Sequence, residues 1–390
     1  MQETPQTPQE NTTKSQKALL AGPAQPQLPQ AELIARVAKL HGVGPFKQLR
    51  HMIPRTRGKK AMMSSEYYDF GLYDPKYSRA DRNAFVGVAM NRKLNETLTA
   101  KNQKDALDLI QTKLRFGQFL EENGLSTTRT QALYSPKEEY PGIQVLKSAD
   151  DIAGFLRAGS TVYPLFGKPL HGTLSVGSAL IANYDAAQDA VVLGNGEIHP
   201  VEAFAKEVFD DYAVGYMFQD AIQQHADMTA ITGPSVGTLR IVTVQDENGP
   251  QVLYTLWKIP SPKAMSDNFW QVGSMLSHVD LETGQVVTCR RGKGPDAVDV
   301  AEHPVSKMPT IGFQMPHFEA AKELAKSGHA KFKTLGVIGW DMGIAEEGPV
   351  IVEANCNPYH TLYQIATGEG ILHPRFASIF EKIKTYVAQV

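Results

Sequence analysis

Hydrophobic positions fall at helical spacing through the first third of the chain and at nearly alternating spacing afterwards. The pattern begins at Ala31, where AELIARVAKL predicts an amphipathic helix. A basic, irregular stretch from Arg50 to Lys60 and an aromatic segment, SSEYYDFGLYDPKYS, come next. From Ala80 to Gly124 the period is helical again. There Leu107, Ile110, Leu114 and Phe116 mark one buried stripe, and Gly124 is a natural C-cap. From about Ser160 the period moves toward two. TVYPLFGK, SALIANYD and AVVLGNG predict short strands, VEAFAKEVF a helix, and GYMFQDAI a strand running into a helix. Three hairpins follow: TLRIVTV with QVLYTLWKI around QDENGP, SMLSHVD with QVVTCR around LETG, and VIGWDMGIA with PVIVEAN around EEG. FEAAKELAKSG predicts a helix between the last two, and FASIFEKIKTYVAQV a closing one. These elements describe an α+β chain.

At 390 residues the chain exceeds one ordinary compact unit, so two or three packed subdomains are expected. Residues 1–30, dominated by Gln, Pro and Thr, predict a disordered tail without the apolar run of a secretory signal. Lys and Arg number 39 against 41 Asp and Glu, so the whole chain shows no electrostatic footprint for nucleic acid or an anionic membrane. Cys289 and Cys356 are too few for a disulfide framework or a cysteine zinc cluster, and no apolar run is long enough for a membrane span. A cytoplasmic setting is expected.

Several common motifs are absent: Walker A, G-x-G-x-x-G, H-E-x-x-H and C-x-x-C. Gly233 to Gly237 matches G-x-S-x-G, but an apparent helix precedes it and a strand follows, the reverse of a nucleophile elbow. The informative chemistry lies on the last hairpin. With its turn centred near Glu347, Asp341 and Glu353 become cross-strand neighbours, and Asn355 shares their face. Trp340, Met342, Ile344, Val350 and Val352 would fill the other face. Two opposed carboxylates destabilise each other without a cation, and an Asp, a Glu and an amide oxygen suit Mg²⁺. Upstream, Arg240 and Lys258 come out roughly opposite each other on another hairpin, an arrangement that fits phosphate. Lys168 ends a strand and precedes a Gly/Ser loop, PLHGTLSVGS, that can present ammonium and backbone N–H groups to a polyphosphate.

Together these blocks resemble the ATP-grasp superfamily, in particular the sugar-transfer-associated ATP-grasp family, from about Ser65 to Leu372. The similarity rests on the order of SSEYYDFGLYD, QTKLRFGQFLEENGL, LFGKPLHGTLSVGS, YMFQDAIQQH, SVGTLRIVTV, SDNFWQVGSMLSHVDLETG and IGWDMGIAEEGPVIVEANCNP. The resemblance implies an ATP-grasp fold in which two α+β subdomains, 151–225 and 226–390, sandwich ATP behind an N-terminal helical or mixed domain, 31–150. It implies that Lys113 and Lys168 contact the phosphates under a loop carrying Gly172, Ser175 and Gly177. Phe218, Gln219 and Asp220 would hold the adenosine. Arg240 and Lys258 would act on the transferred phosphoryl group, and Asp341, Glu353 and Asn355 would hold two Mg²⁺ ions, for which Mn²⁺ can substitute. The implied activity is an ATP-dependent carboxylate–amine ligase working through an acyl phosphate. Its substrates would be an amine and a small-molecule or sugar-linked carboxylate of cell-surface polysaccharide chemistry. A kinase with a stable phosphorylated product and a non-catalytic nucleotide- or glycan-binding scaffold are the alternatives.

Overall fold

A computed structural model of the chain describes residues 17–19, 28–56, 62–137, 139–170, 176–262 and 264–390. Seven helices open it: α1 (Gln30–His41), α2 (Pro45–Thr56), α3 (Ser64–Asp69), α4 (Arg79–Ala84), α5 (Val88–Thr97), α6 (Lys104–Gln111) and α7 (Lys113–Glu122). The first sheet then forms from β1 (Thr130–Tyr134), β2 (Gln144–Leu146), β3 (Leu165–Pro169), β4 (Ala179–Asp185), β5 (Ala190–Leu193), β6 (Ile198–Pro200) and β7 (Tyr216–Asp220), in spatial order β2-β1-β7-β3-β4-β5-β6. Only β1 and β2 run parallel. Helices α8 (Ala149–Arg157) and α9 (Val201–Asp211) cover one face, seating Ile152, Phe155, Phe204 and Val208 against Leu165, Ile181, Val191 and Phe218. α8 starts where the sequence says it should: Ser148 Oγ accepts from Asp151 N at 3.1 Å, and Asp151 accepts from Ser148 N at 3.0 Å.

After α10 (Ala226–Thr232), the second sheet takes β8 (Leu239–Asp246), β9 (Gly249–Ile259), β10 (Met275–Val279), β11 (Val286–Arg291), β12 (Val298–Asp299), β13 (Val337–Ala345) and β14 (Gly348–Asn355). The spatial order is β12-β11-β10-β9-β8-β13-β14, antiparallel throughout. The three expected hairpins are β8–β9, β10–β11 and β13–β14. Every residue of β8 and β13 is buried, because both sheet faces are covered. Ile241, Trp257 and Trp340 meet α11 (Phe318–His329) on one face, while Val242, Val244 and Leu256 meet α12 (His360–Thr367), α13 (Pro374–Val387) and the N-terminal helices on the other.

Two sequence readings change here, and the aromatic segment finds its place. The aromatic segment is core: Tyr67, Tyr68, Phe70, Leu72 and Tyr73 are buried in the cluster that contains Val242 and Phe376. Residues 31–150 are shared between the two sheets, since β1 and β2 join the first one, ahead of the expected boundary at 151. Their short length and weak alternation hid them. Within the expected tail, Lys17–Leu19 dock on α9. The N–H groups of Ala18 and Leu19 donate to the Glu207 carboxylate at 2.8 and 2.9 Å, and both side chains are buried.

Candidate functional site

The two sheets face each other across a cleft of about 950 Å³. Phe166, Lys168, Ser178, Leu180 and Gln219 line it from the first sheet, and Thr238, Arg240, Lys258, Asp341, Glu353 and Asn355 from the second. The turn of the last hairpin is two residues, with Ala345 opposite Gly348, and a bulge between Asp341 and Met342 shifts the register by one. That shift pairs Asp341 with Glu353 and Gly339 with Asn355. It also corrects the apolar face: Ile351, opposite Met342, is the fully buried partner, whereas Val352 lines the cleft.

β8 lies on the other side of β13 and puts Arg240 opposite Asp341. The Arg240 guanidinium grips the Asp341 carboxylate through two bonds, Nε to Oδ1 and Nη2 to Oδ2, the latter at 2.7 Å. Beside the pair, Gly339 leaves room for the loop beyond β14, since a Cβ there would sit 2.8 Å from Pro358 Cβ. Lys258 is diagonal to Arg240 rather than opposite it, for Arg240 pairs with Leu256. Its ammonium reaches Asp341 Oδ2 at 3.2 Å and Asp267 Oδ2 at 3.0 Å. The two cations thus already share an anion within the protein.

Burial works against every charge here, and the partners decide the outcome. Against that burial, Arg240 and Lys258 hold Asp341 well below the usual carboxylate range. Burial and then the Asp341 charge push Glu353 up. Asn355 Nδ2 adds a bond to Glu353 Oε1 at 3.3 Å. The Asp267 and Asp341 charges outweigh burial at Lys258 and raise it. On the facing sheet, burial lowers Lys168 to about 8, with Glu353 opposing the shift and Lys113 adding to it. Burial also lowers Lys113, whose Nζ donates to Pro169 O at 2.9 Å. Among the described residues, no ion pair or hydrogen bond engages the Lys168 ammonium.

The other expected residues divide. Gln219 is in the cleft wall, with Nε2 donating to Thr128 O at 3.4 Å and Thr130 Oγ1 at 3.3 Å. Asp220 lines the cleft, but Arg129 holds its carboxylate at 3.0 Å and Gln131 at 2.6 Å. Phe218 does not face the cleft: its ring is in the first sheet's core against Phe155, and its backbone sits between β1 and β3. The strand ladders absorb the backbone up to Asp220, so Ala221 and Ile222 are the first cleft-lining residues beyond them. Gly177 does not line the cleft either. At φ 78°, it lies where a Cβ would be 2.3 Å from the Tyr212 hydroxyl, and its carbonyl accepts from Tyr216 Oη at 2.9 Å. Gly172 and Ser175 lie outside the described residues.

Glu353 and Asn355 are hard oxygen donors in a half-buried, cation-rich wall, and Glu353, pushed up by burial and the Asp341 charge, fits Mg²⁺. Asp341 could join them only by releasing an oxygen from Arg240 or Lys258. Among the described residues, no group of three His, Cys, Asp or Glu side chains is arranged for a metal.

Sequence reasoning passed over two contributors. Asp267, inside SDNFW, fixes Lys258 and accepts from Thr238 N at 3.2 Å. Asn91 and Asn95 of α5 clamp the loop beyond β14: Asn95 Nδ2 donates to Asn357 Oδ1 at 2.7 Å, and both amides donate to Pro358 O at 3.0 Å. His360 completes the clamp, its Nε2 donating to Asn95 Oδ1 at 2.9 Å and its Nδ1 accepting from Tyr254 Oη at 2.9 Å. Paired asparagines four residues apart on one helix face are the signal.

The model of the family described as "Sugar-transfer associated ATP-grasp" matches residues 93–380. Among solved structures, D-alanine–D-alanine ligase from Helicobacter pylori is 13% identical over 72% of this chain and 60% of its own, with a TM-score of 0.39. Biotin carboxylase from Campylobacter jejuni is 11% identical over 74% and 49%, with a TM-score of 0.42. L-Amino acid ligase from Bacillus licheniformis is 13% identical over 72% and 48%, with a TM-score of 0.37. The chain thus spans roughly half of these proteins. No curated protein matches it significantly.

Proposed function

The chain belongs to the sugar-transfer associated ATP-grasp family, and we propose from its cleft that it is an ATP-dependent carboxylate–amine ligase acting through an acyl phosphate. The observation that carries this reading is Lys168: an enclosed ammonium with no anion bound to it among the described residues, grouped with Lys113, Arg240 and Lys258 in one cleft. Such a surplus of enclosed positive charge suits a polyphosphate.

In this reading a substrate carboxylate oxygen attacks the γ-phosphorus of ATP, the bond to the β,γ-bridging oxygen breaks, and ADP leaves. An amine nitrogen then attacks the acyl carbon, phosphate departs, and the amine gives up its proton as the amide forms. Such transfer needs positioning and charge neutralisation more than a protein nucleophile. Lys113 at the start of α7 and Lys168 on the first sheet bind the phosphate chain. Arg240 and Lys258, held in place by Asp341 and Asp267, present donors to the transferring group without reorganising. Gln219 and the backbone of Ala221 and Ile222 border the adenine end. Glu353 and Asn355 would hold Mg²⁺, which supplies charge neutralisation at phosphate oxygens. Phe269, Trp270 and Asn268 wall the end toward α5, where the carboxylate or amine would enter. The family's description directs the choice of substrates toward sugar-linked carboxylates and amines.

The test is product analysis with Mg-ATP and panels of ¹⁸O-labelled carboxylates and amines. ADP release is expected to require both partners, with an amide product and one ¹⁸O in the phosphate released. A stable phosphorylated product, or phosphate without the label, would overturn the ligase reading.

A further inference from the structure

The balanced charge of the whole chain conceals a local excess. Between Leu33 and Ser65 there are eight Lys and Arg and no Asp or Glu, against 39 and 41 overall. α2 lies in this stretch, and its inner face is pinned. Gln48 Nε2 donates to Val43 O at 2.6 Å and Ile34 O at 3.1 Å, and Gln48 Oε1 accepts from Tyr68 Oη at 2.9 Å. Met52 and Arg55, on the same face, are buried, and Arg55 Nε donates to Arg82 O at 3.3 Å. The rotation of α2 about its axis is therefore set, and it turns a second apolar stripe outward. Phe46, Leu49 and Ile53 follow i, i+3, i+7 spacing and are 83%, 49% and 39% exposed. Leu40, at the end of α1, is 56% exposed.

At 100° per residue, Arg50 falls about 40° beyond Phe46 on the outward side, and Lys47 about 100° beyond it. Both are exposed, as is Lys39, and none of the three forms an ion pair among the described residues. An outward row of bulky aliphatic and aromatic side chains flanked by unpaired cations suits a surface that takes apolar groups at the depth of its anionic headgroups. Nucleic acid would use the cations and leave Leu49 and Ile53 in water. No described helix is long and apolar enough to cross a bilayer, so the contact is with its surface.

We propose that α2 docks the protein on an anionic phospholipid bilayer, inserting Phe46, Leu49 and Ile53 between headgroups that Lys47 and Arg50 contact. The stripe is separate from the cleft residues, so the proposal stands whatever the reaction is.

The test is co-sedimentation of the full chain with vesicles of phosphatidylcholine alone or with about one-third phosphatidylglycerol. Binding is expected to be at least about tenfold stronger on the anionic vesicles and to weaken as salt rises. The variant Phe46→Gln/Leu49→Gln/Ile53→Gln and the variant Lys47→Glu/Arg50→Glu are each expected to lose at least about tenfold, with melting temperatures unchanged. If the triple variant melts early, Phe46→Gln alone carries the test at the most exposed position. Equal binding to both vesicle types overturns the proposal, as does binding that survives both variants. So does retention on a poly(U) RNA probe that the triple variant keeps and the charge-reversed one loses. A dimer that the triple variant abolishes, with no vesicle binding by the wild type, overturns it too.

Discussion

Replacing Asp341 with Asn keeps the shape of the side chain and removes the one charge that Arg240 and Lys258 share. The Arg240–Asp341 pair is enclosed, with 9% and 3% side-chain exposure. Breaking such a pair from one side typically costs about 3–5 kcal/mol, because the remaining charge stays buried. Two features of the site put this case at the lower end. Lys258 keeps Asp267 at 3.0 Å, so one cation is stranded rather than two, and the Asn oxygen still accepts one guanidinium N–H. The expected loss is about 3 kcal/mol, or about 6–12 °C in melting temperature for a cooperative unit of a few hundred residues. Because the folded Asp341 titrates below the usual carboxylate range, its contribution is complete above the unfolded value and declines only in strong acid. Asp341's own contribution should therefore stay constant between about pH 5 and 8, and any slope in the difference there should come from Glu353, which the Asp341 charge raises. Urea unfolding across that range, with an unchanged m-value, measures it. A loss under about 1 kcal/mol, or one that vanishes with added salt, would mean the pair behaves as a solvated one and would refute the reasoning. In the same assay, Arg240→Met/Asp341→Leu should recover part of the loss, since no buried charge is then left without a partner.

Glu353→Gln should leave the fold intact and abolish Mg-ATP-dependent turnover. Since Glu353 is raised by burial, the wild type should lose stability as pH climbs from the ordinary glutamate value through the folded one, and the Gln variant should lack that slope. Activity surviving this change would remove Glu353 from the metal set. Lys168→Met should weaken ATP binding at least about tenfold by titration calorimetry, as expected for losing a hydrogen-bonded charge contact. Lys168 is lowered to about 8, so wild-type stability should rise between about pH 8 and 10.5, where the unfolded lysine holds its proton and the folded one does not. The Met variant should not show that rise, and an unchanged ATP affinity would refute the phosphate role. Deleting residues 1–30 should lower the melting temperature, because Ala18, Leu19 and the bonds to Glu207 are lost, and leave ATP affinity unchanged. A changed affinity would tie the tail to the cleft.

What could be read along the chain was whatever alternates or repeats locally. The three hairpins announce themselves by period two and turn residues, and a turn centred near Glu347 already puts Asp341 across from Glu353, although in the structure a two-residue turn and a bulge together produce that pair. The order of motif blocks likewise carries the family, since it can be read directly along the chain. Other parts of the site depend on pairings that leave no local mark. Arg240 finds Asp341 only because β8 and β13, about a hundred residues apart, lie side by side, and Lys258 finds Asp267 through a loop with no periodicity. The bulge that sends Ile351 inward and Val352 to the cleft is decided by how two strands fit, as is the burial of Phe218 behind a ladder that absorbs its backbone. Total charge is additive along the sequence and blind to position. Only the packed molecule collects four cations in one cleft and leaves α2 with an apolar row and unpaired lysine and arginine facing outward, because enclosure and exposure are properties of neighbours in space.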